Sequence, residues 1–179
     1  MNKADPLKVV LPFIQSMNNL KISVLLILVS AMYLISCDSS VQNKQSHEFK
    51  ISKSEEEWKQ ELTPAQFQVL RKKDTERAWS GEYNDHHEEG IYICAGCRHP
   101  VFSSAHKFES GSGWPSFTEP YDPEAVLVDI DHSYGMVREE ILCANCGGHL
   151  GHKFPDGPSD KGGQRYCINS LSMDFKKNK

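Results

Sequence analysis

At 179 residues, with 25% charged and 39% hydrophobic side chains, the chain fits one globular domain plus an extension. Its formal net charge of −4 supplies no positive field for nucleic acid, a sign the eight histidines leave in place unless several are charged together. The six cysteines, at positions 37, 94, 97, 143, 146 and 167, form two C-x2-C pairs and two singles. That layout suits a metal and a reactive thiol better than a disulfide framework.

Residues 22–36 are uncharged and mostly apolar, follow Lys21, and end in Leu34-Ile35-Ser36-Cys37. A basic flank, an apolar stretch short for a bilayer, and a terminal cysteine resemble the signal and lipobox of bacterial lipoproteins, in which that cysteine is lipidated. The alternatives are a retained signal anchor or a core helix, with Cys37 an ordinary thiol. Met17 makes a more typical signal start than Met1. Residues 38–46 have few apolar groups and read as tether. The expected organisation is a signal over 1–36, lipidated Cys37 and tether over 37–52, and a folded domain over 53–177.

In that domain, Ser54 with Glu57 matches a capping box, and Trp58 with Leu62 share one helical face. Thr63-Pro64 then starts a second helix that turns Phe67 and Leu70 to the core. Beyond residue 80, short apolar runs broken by glycine and proline predict strands at 91–93, 125–128, 136–137 with 141–142, and 166–168. Strands do not alternate with long helices, so the expected fold is mainly β, with short N-terminal helices ahead of antiparallel sheets.

Cys94-Ala95-Gly96-Cys97 and Cys143-Ala144-Asn145-Cys146 each place two thiolates where a tight turn aims them at one ion. Their wide separation in the chain requires two distinct hairpins to meet. Four soft ligands favour structural zinc and leave no open position for catalysis; two disulfides, or iron, are the alternatives.

Toward the C-terminus, Arg165-Tyr166-Cys167-Ile168-Asn169 alternates as a strand. Arg165, Cys167 and Asn169 share one face, while Tyr166 and Ile168 turn to the core. A guanidinium beside a thiol favours the nucleophilic thiolate, although an isolated strand cysteine is often an inert buried thiol. His149 and His152 lie three apart among glycines, so a bulge is needed to bring them to one side; otherwise they are surface histidines or steady the metal ligands. Gly113-Trp114-Pro115-Ser116-Phe117 is a turn presenting a large aromatic, either a core anchor or a binding wall.

Taken in order, Leu62-Thr63-Pro64, Thr75-Glu76-Arg77, Gly81-Glu82-Tyr83, Gly113-Trp114-Pro115-Ser116-Phe117, His149-Leu150-Gly151-His152-Lys153-Phe154-Pro155-Asp156-Gly157-Pro158 and Arg165-Tyr166-Cys167-Ile168-Asn169-Ser170 resemble the type B methionine sulfoxide reductases. With the two C-x2-C pairs, the resemblance runs from about Ser54 to Phe175. It implies two antiparallel sheets, one structural zinc on Cys94, Cys97, Cys143 and Cys146, and reduction of the R epimer of methionine sulfoxide in proteins or peptides. Cys167 would attack the sulfoxide sulfur and become a sulfenic acid. His149 and His152 would polarise or protonate the oxygen, Arg165 and Asn169 would orient the thiolate and bond the developing charge, and Trp114 and Phe154 would bind substrate.

Many such proteins carry a resolving cysteine where this chain has Ser112. The expectation is therefore direct reduction of Cys167 by an external thiol, thioredoxin-like or other. A monomer held by its lipid at the bacterial cell envelope is expected. The competing reading is a non-catalytic, lipid-tethered zinc module that binds protein partners. A nucleic-acid-binding zinc ribbon fits poorly, because Lys176-Lys177-Asn178-Lys179 reads as a solvated tail and no basic stripe precedes it.

Overall fold

The computed structural model describes residues 47–178, so the apolar stretch, Cys37 and most of the expected tether lie outside the described residues. Among the described residues no helix is long and apolar enough to cross a membrane. Within the segment read as tether, the Ile51 side chain packs against the core, and its N–H donates to the Asn145 carbonyl at 3.0 Å.

The helices form where capping dictates. α1 (Glu55–Glu61) is closed by a reciprocal box in which the Glu57 N–H donates to Ser54 Oγ and the Ser54 N–H donates to the Glu57 carboxylate. Three glutamates in its first turn complement the helix dipole. α2 (Pro64–Lys72) repeats the device with Thr63 and Gln66, places proline at its first position, and stops at Lys73 in the left-handed region. Trp58 from α1 and Phe67, Val69 and Leu70 from α2 are buried.

Nine strands follow: β1 (Gly90–Cys94), β2 (Pro100–Ser103), β3 (Lys107–Phe108), β4 (Ser116–Phe117), β5 (Val126–Asp131), β6 (Arg138–Cys143), β7 (His149–Phe154), β8 (Arg165–Ile168) and β9 (Met173–Lys177). They make two sheets of antiparallel pairs, one ordered β2-β1-β9 and the other β3-β4-β8-β7-β6-β5. The aromatic centre of the core joins them. Phe117 of the larger sheet stacks on Phe102 at 4.5 Å and meets the edge of Tyr92 at 5.1 Å, both from the smaller sheet. All three are fully buried, which contributes roughly 1.5–3 kcal/mol each.

Two sequence expectations change. Met136-Val137 is not strand: β6 begins at Arg138, and both residues are exposed in the turn before it. The basic tail is not wholly solvated either, because Lys176 and Lys177 pair with Ile91 and Gly90 at the end of β9. Lysine side chains there point outward while the backbone completes the ladder, which charge alone does not reveal.

Candidate active site and metal centre

The two C-x2-C segments fold into matching turns. In the first, the Cys94 N–H donates to the His99 carbonyl at 2.8 Å and the Arg98 N–H returns to the Cys94 carbonyl at 2.9 Å. In the second, the Cys143 N–H donates to the Gly148 carbonyl at 2.9 Å and the Gly147 N–H returns to the Cys143 carbonyl at 2.8 Å. The fourth residue after the first cysteine is left-handed in both, Arg98 at φ 65° and Gly147 at φ 68°; glycine is the residue that takes this without strain. Cys94 ends β1 and Cys143 ends β6, so the turns bring together the ends of strands from both sheets.

The four sulfurs lie within 4.8 Å of one another, with Cys94 Sγ 3.8 Å from Cys146 Sγ and Cys97 Sγ 3.5 Å from Cys143 Sγ. None is bonded to another as a disulfide would be, at about 2.05 Å. Sulfurs each about 2.3 Å from one tetrahedral ion stand about 3.8 Å apart, so the donor set and its spacing fit zinc. Four protein ligands would close the coordination shell and make the ion a brace between the sheets.

The two histidines come together through a bulge in β7. Opposite β6, Ile141 pairs with Gly151 but Leu142 pairs with His149, so Leu150 is extra. His149 thereby joins the face of His152, with ring centroids 5.3 Å apart. At Gly151 a Cβ would strike the backbone of Cys167 and Ile168, so this glycine lets β7 lie against β8. His152 and Cys167 are cross-strand partners.

Each imidazole is fixed by a carboxylate that the sequence reading did not single out. His149, 1% exposed, donates from Nδ1 to Glu140 at 2.7 Å, and its buried Nε2 has no protein partner. Burial opposes the Glu140 charge, but the His149 and Lys73 bonds outweigh it and hold this carboxyl below the usual range. His152 donates from Nε2 to Asp131 at 2.9 Å; burial, with Arg138 and His149 nearby, still holds its pKa below the ordinary imidazole value. Asp131 also accepts from Arg138 at 2.6 Å, and Ser133 donates to it.

Cys167 is half-buried and opens onto a pocket that also touches Trp114, Phe154, His152 and Asn169. Thr75 and Arg138 complete the lining. Arg165 is locked to Asp156 by two bonds at 2.8 and 2.9 Å, and its guanidinium lies 4.5 Å above the Phe154 ring. Arg165 favours the thiolate, as its position in the strand implied, but a stronger influence opposes it. Burial pushes the Cys167 thiol above its usual value, and the pull of the Ser112 hydroxyl, 3.7 Å from Sγ, and of Arg165 only partly offsets it. Alkylation of Cys167 by iodoacetamide will therefore accelerate with pH through a midpoint above that of a free thiol, and Arg165→Ala will move the midpoint higher still. A midpoint that falls or stays put in the variant contradicts this electrostatic account.

Asn169 has a different placement from the one expected of a charge-stabilising group. Only 3% exposed, it accepts from the Glu76 N–H at 3.1 Å and donates to the Leu150 carbonyl at 3.1 Å. Glu76 is the hub of this corner: its carboxylate accepts from the Ser170 and Leu171 N–H groups, and its carbonyl accepts from Trp114 Nε1 at 3.1 Å. Asn169 thus ties the bulge to the arm that holds the Trp114 wall. The signals for Glu76, Asp131, Glu140 and Arg138 are absent from local spacing, since each acts across a sheet or between loops.

The family model for the SelR domain matches residues 62–177. Over 124 residues the chain is 56% identical to "Peptide methionine sulfoxide reductase MsrB" of Bradyrhizobium diazoefficiens, spanning 69% of this chain and 88% of that protein. The protein of the same name from Chromohalobacter salexigens is 52% identical over 126 residues, 70% of this chain and 95% of its own length. That from Leifsonia xyli subsp. xyli is 53% identical over 128 residues, 72% and 92% respectively.

Proposed function

The chain belongs to the SelR-domain family of methionine sulfoxide reductases, the MsrB oxidoreductases, and from that premise we propose that it reduces the R epimer of methionine sulfoxide in proteins and peptides with Cys167 as nucleophile. The observation that carries the reading is the grouping of Cys167, His152 and the Trp114 and Phe154 rings around one pocket. Trp114 and Phe154 supply apolar walls for the substrate methyl group. The Cys167 sulfur attacks the sulfoxide sulfur, the sulfur–oxygen bond breaks, and the oxygen passes to Cys167. Cysteine sulfur is oxidised by two electrons and the substrate sulfur reduced by two, giving methionine and Cys167 sulfenic acid. The thiol proton ends on the transferred oxygen. His149 Nε2, the ring nitrogen left without a partner, and His152 are the groups that move protons at that oxygen. Arg165 and the Ser112 hydroxyl stabilise negative charge on sulfur during attack. When bound, zinc on the four cysteines serves structure alone.

Ser112 faces Cys167 without a thiol to offer, and the other described cysteines belong to the metal cluster. Recycling then uses two equivalents of an external thiol: the first forms a mixed disulfide with Cys167 and releases water, the second releases the Cys167 thiol. Purified full-length protein will reduce R and leave S sulfoxides untouched with dithiothreitol as reductant. After one turnover without reductant, mass spectrometry will find Cys167 carrying one oxygen. Reduction of the S epimer only, or an internal disulfide at Cys167, refutes the corresponding part.

The reading extends to place. The apolar stretch ending at Cys37 supports attachment to an envelope membrane through lipid. Tagged fatty acid will label the expressed protein and fail to label Cys37→Ser; equal labelling disproves the anchor.

A further inference from the structure

We propose that Trp79, Tyr134 and Val137 form an apolar rim that grips the residues flanking methionine sulfoxide in an extended polypeptide, an inference that rests on the reaction proposed above. Among the described residues seven large apolar side chains are well exposed, and four of them, Trp79, Tyr134, Met136 and Val137, stand on two loops that lead in the chain to the pocket-lining residues Thr75 and Arg138. Trp79 belongs to the arm that carries Thr75 and Glu76, and its N–H donates at 2.7 Å to the carbonyl of Gly113, the residue before Trp114. The other three form the tip of the β5–β6 hairpin. That tip is closed by the Asp131–Arg138 pair, whose aspartate is bonded to His152. In sheet order, the Trp114 loop enters β4 on one side of the Cys167 strand, and the hairpin lies beyond β7 on the other. A chain that seats a sulfoxide at Cys167 therefore has apolar surface available on both sides.

Two independent features single out the aromatics. Trp79 is 65% exposed and Tyr134 85%. Both also hold positive φ, 68° and 55°, a backbone region that bulky side chains disfavour. Strain and exposure combined on segments adjoining a reactive pocket point to contact with something outside the chain.

The chemistry names the partner. Methionine is usually a core residue, and once a protein loosens, the apolar residues of its segment lie extended on either side of the oxidised side chain. The tip, His132-Ser133-Tyr134-Gly135-Met136-Val137, has no lysine or arginine to meet anionic lipid headgroups, which favours polypeptide over membrane.

The test compares two substrates on the full-length protein: N-acetyl-methionine (R)-sulfoxide, and an unstructured peptide with leucine and phenylalanine beside the sulfoxide. Tyr134→Asn with Val137→Ser is the main variant, since asparagine tolerates positive φ and both positions are exposed. Trp79→Asn is the second. Each is expected to lower kcat/KM on the peptide about tenfold, chiefly through KM, while the N-acetyl amino acid stays within about twofold. Unchanged peptide kinetics overturns the rim and leaves the tip to a lipid surface. Equal losses on both substrates overturn it as well, by making these residues part of the pocket or the fold. Wild-type protein that reduces neither substrate refutes the proposed reaction, and the rim with it.

Discussion

Cys167→Ser lowers reductase turnover by at least about 10⁴-fold and leaves metal content and thermal stability unchanged. The size follows from electron balance. Reduction needs an atom that surrenders two electrons while accepting oxygen; sulfur does so readily, and a serine oxygen would have to form an oxygen–oxygen bond. The structural side is mild, because serine is slightly smaller than cysteine and the Cys167 backbone keeps its pairing with His152 and Ser116. Turnover assays with circular dichroism and metal analysis on the same preparation decide the matter. Retained reduction would mean that another group carries the chemistry, and lost metal would mean that the variant reports on folding.

The second large effect comes from Cys143→Ser, which should release zinc and cost about 5 kcal/mol or more, a fall of roughly 20 °C in melting temperature. Cys143 is fully buried and ends β6, and its sulfur is 3.5 Å from that of Cys97, which follows the smaller sheet's β1. Losing the ligand frees the ends of two sheets at once. It also reaches catalysis, because Cys146 lies three residues before His149 and Gly147 shapes the turn between them. Calorimetry and metal content of wild type and variant measure both parts; equal melting temperatures would show that the cluster braces nothing.

Much of this was legible in the sequence because the signals are local. The Ser54–Glu57 box, the Thr63-Pro64 start and the two cysteine turns each lie within six residues, and each has the form that its spacing implied. In the Cys167 strand Ile168 is fully buried and Tyr166 packs at the core margin, as read, whereas Asn169 is buried as well. What escaped is long-range. β2 and β9 are ordinary short segments that become strands by flanking β1, and Met136-Val137, apolar enough for a strand, is spent on an exposed turn. Glu140 and Asp131 carry no local signal, because only the sheet brings them to the imidazoles. The thiol's true tendency was likewise hidden: the nearby arginine is visible in sequence, whereas burial, the larger influence, is a property of the folded chain.

Along a pleated strand, two side chains look the same way only when an even number of steps separates them, and from 149 to 152 the steps number three. The unpaired Leu150 restores parity. Inserting one residue into β6 between Ile141 and Leu142, to pair with Leu150, would leave a sound ladder and yet turn one imidazole to the wrong side of the sheet. Repair of oxidised methionine would then hinge on the arithmetic of a single strand as much as on which acids and bases it carries.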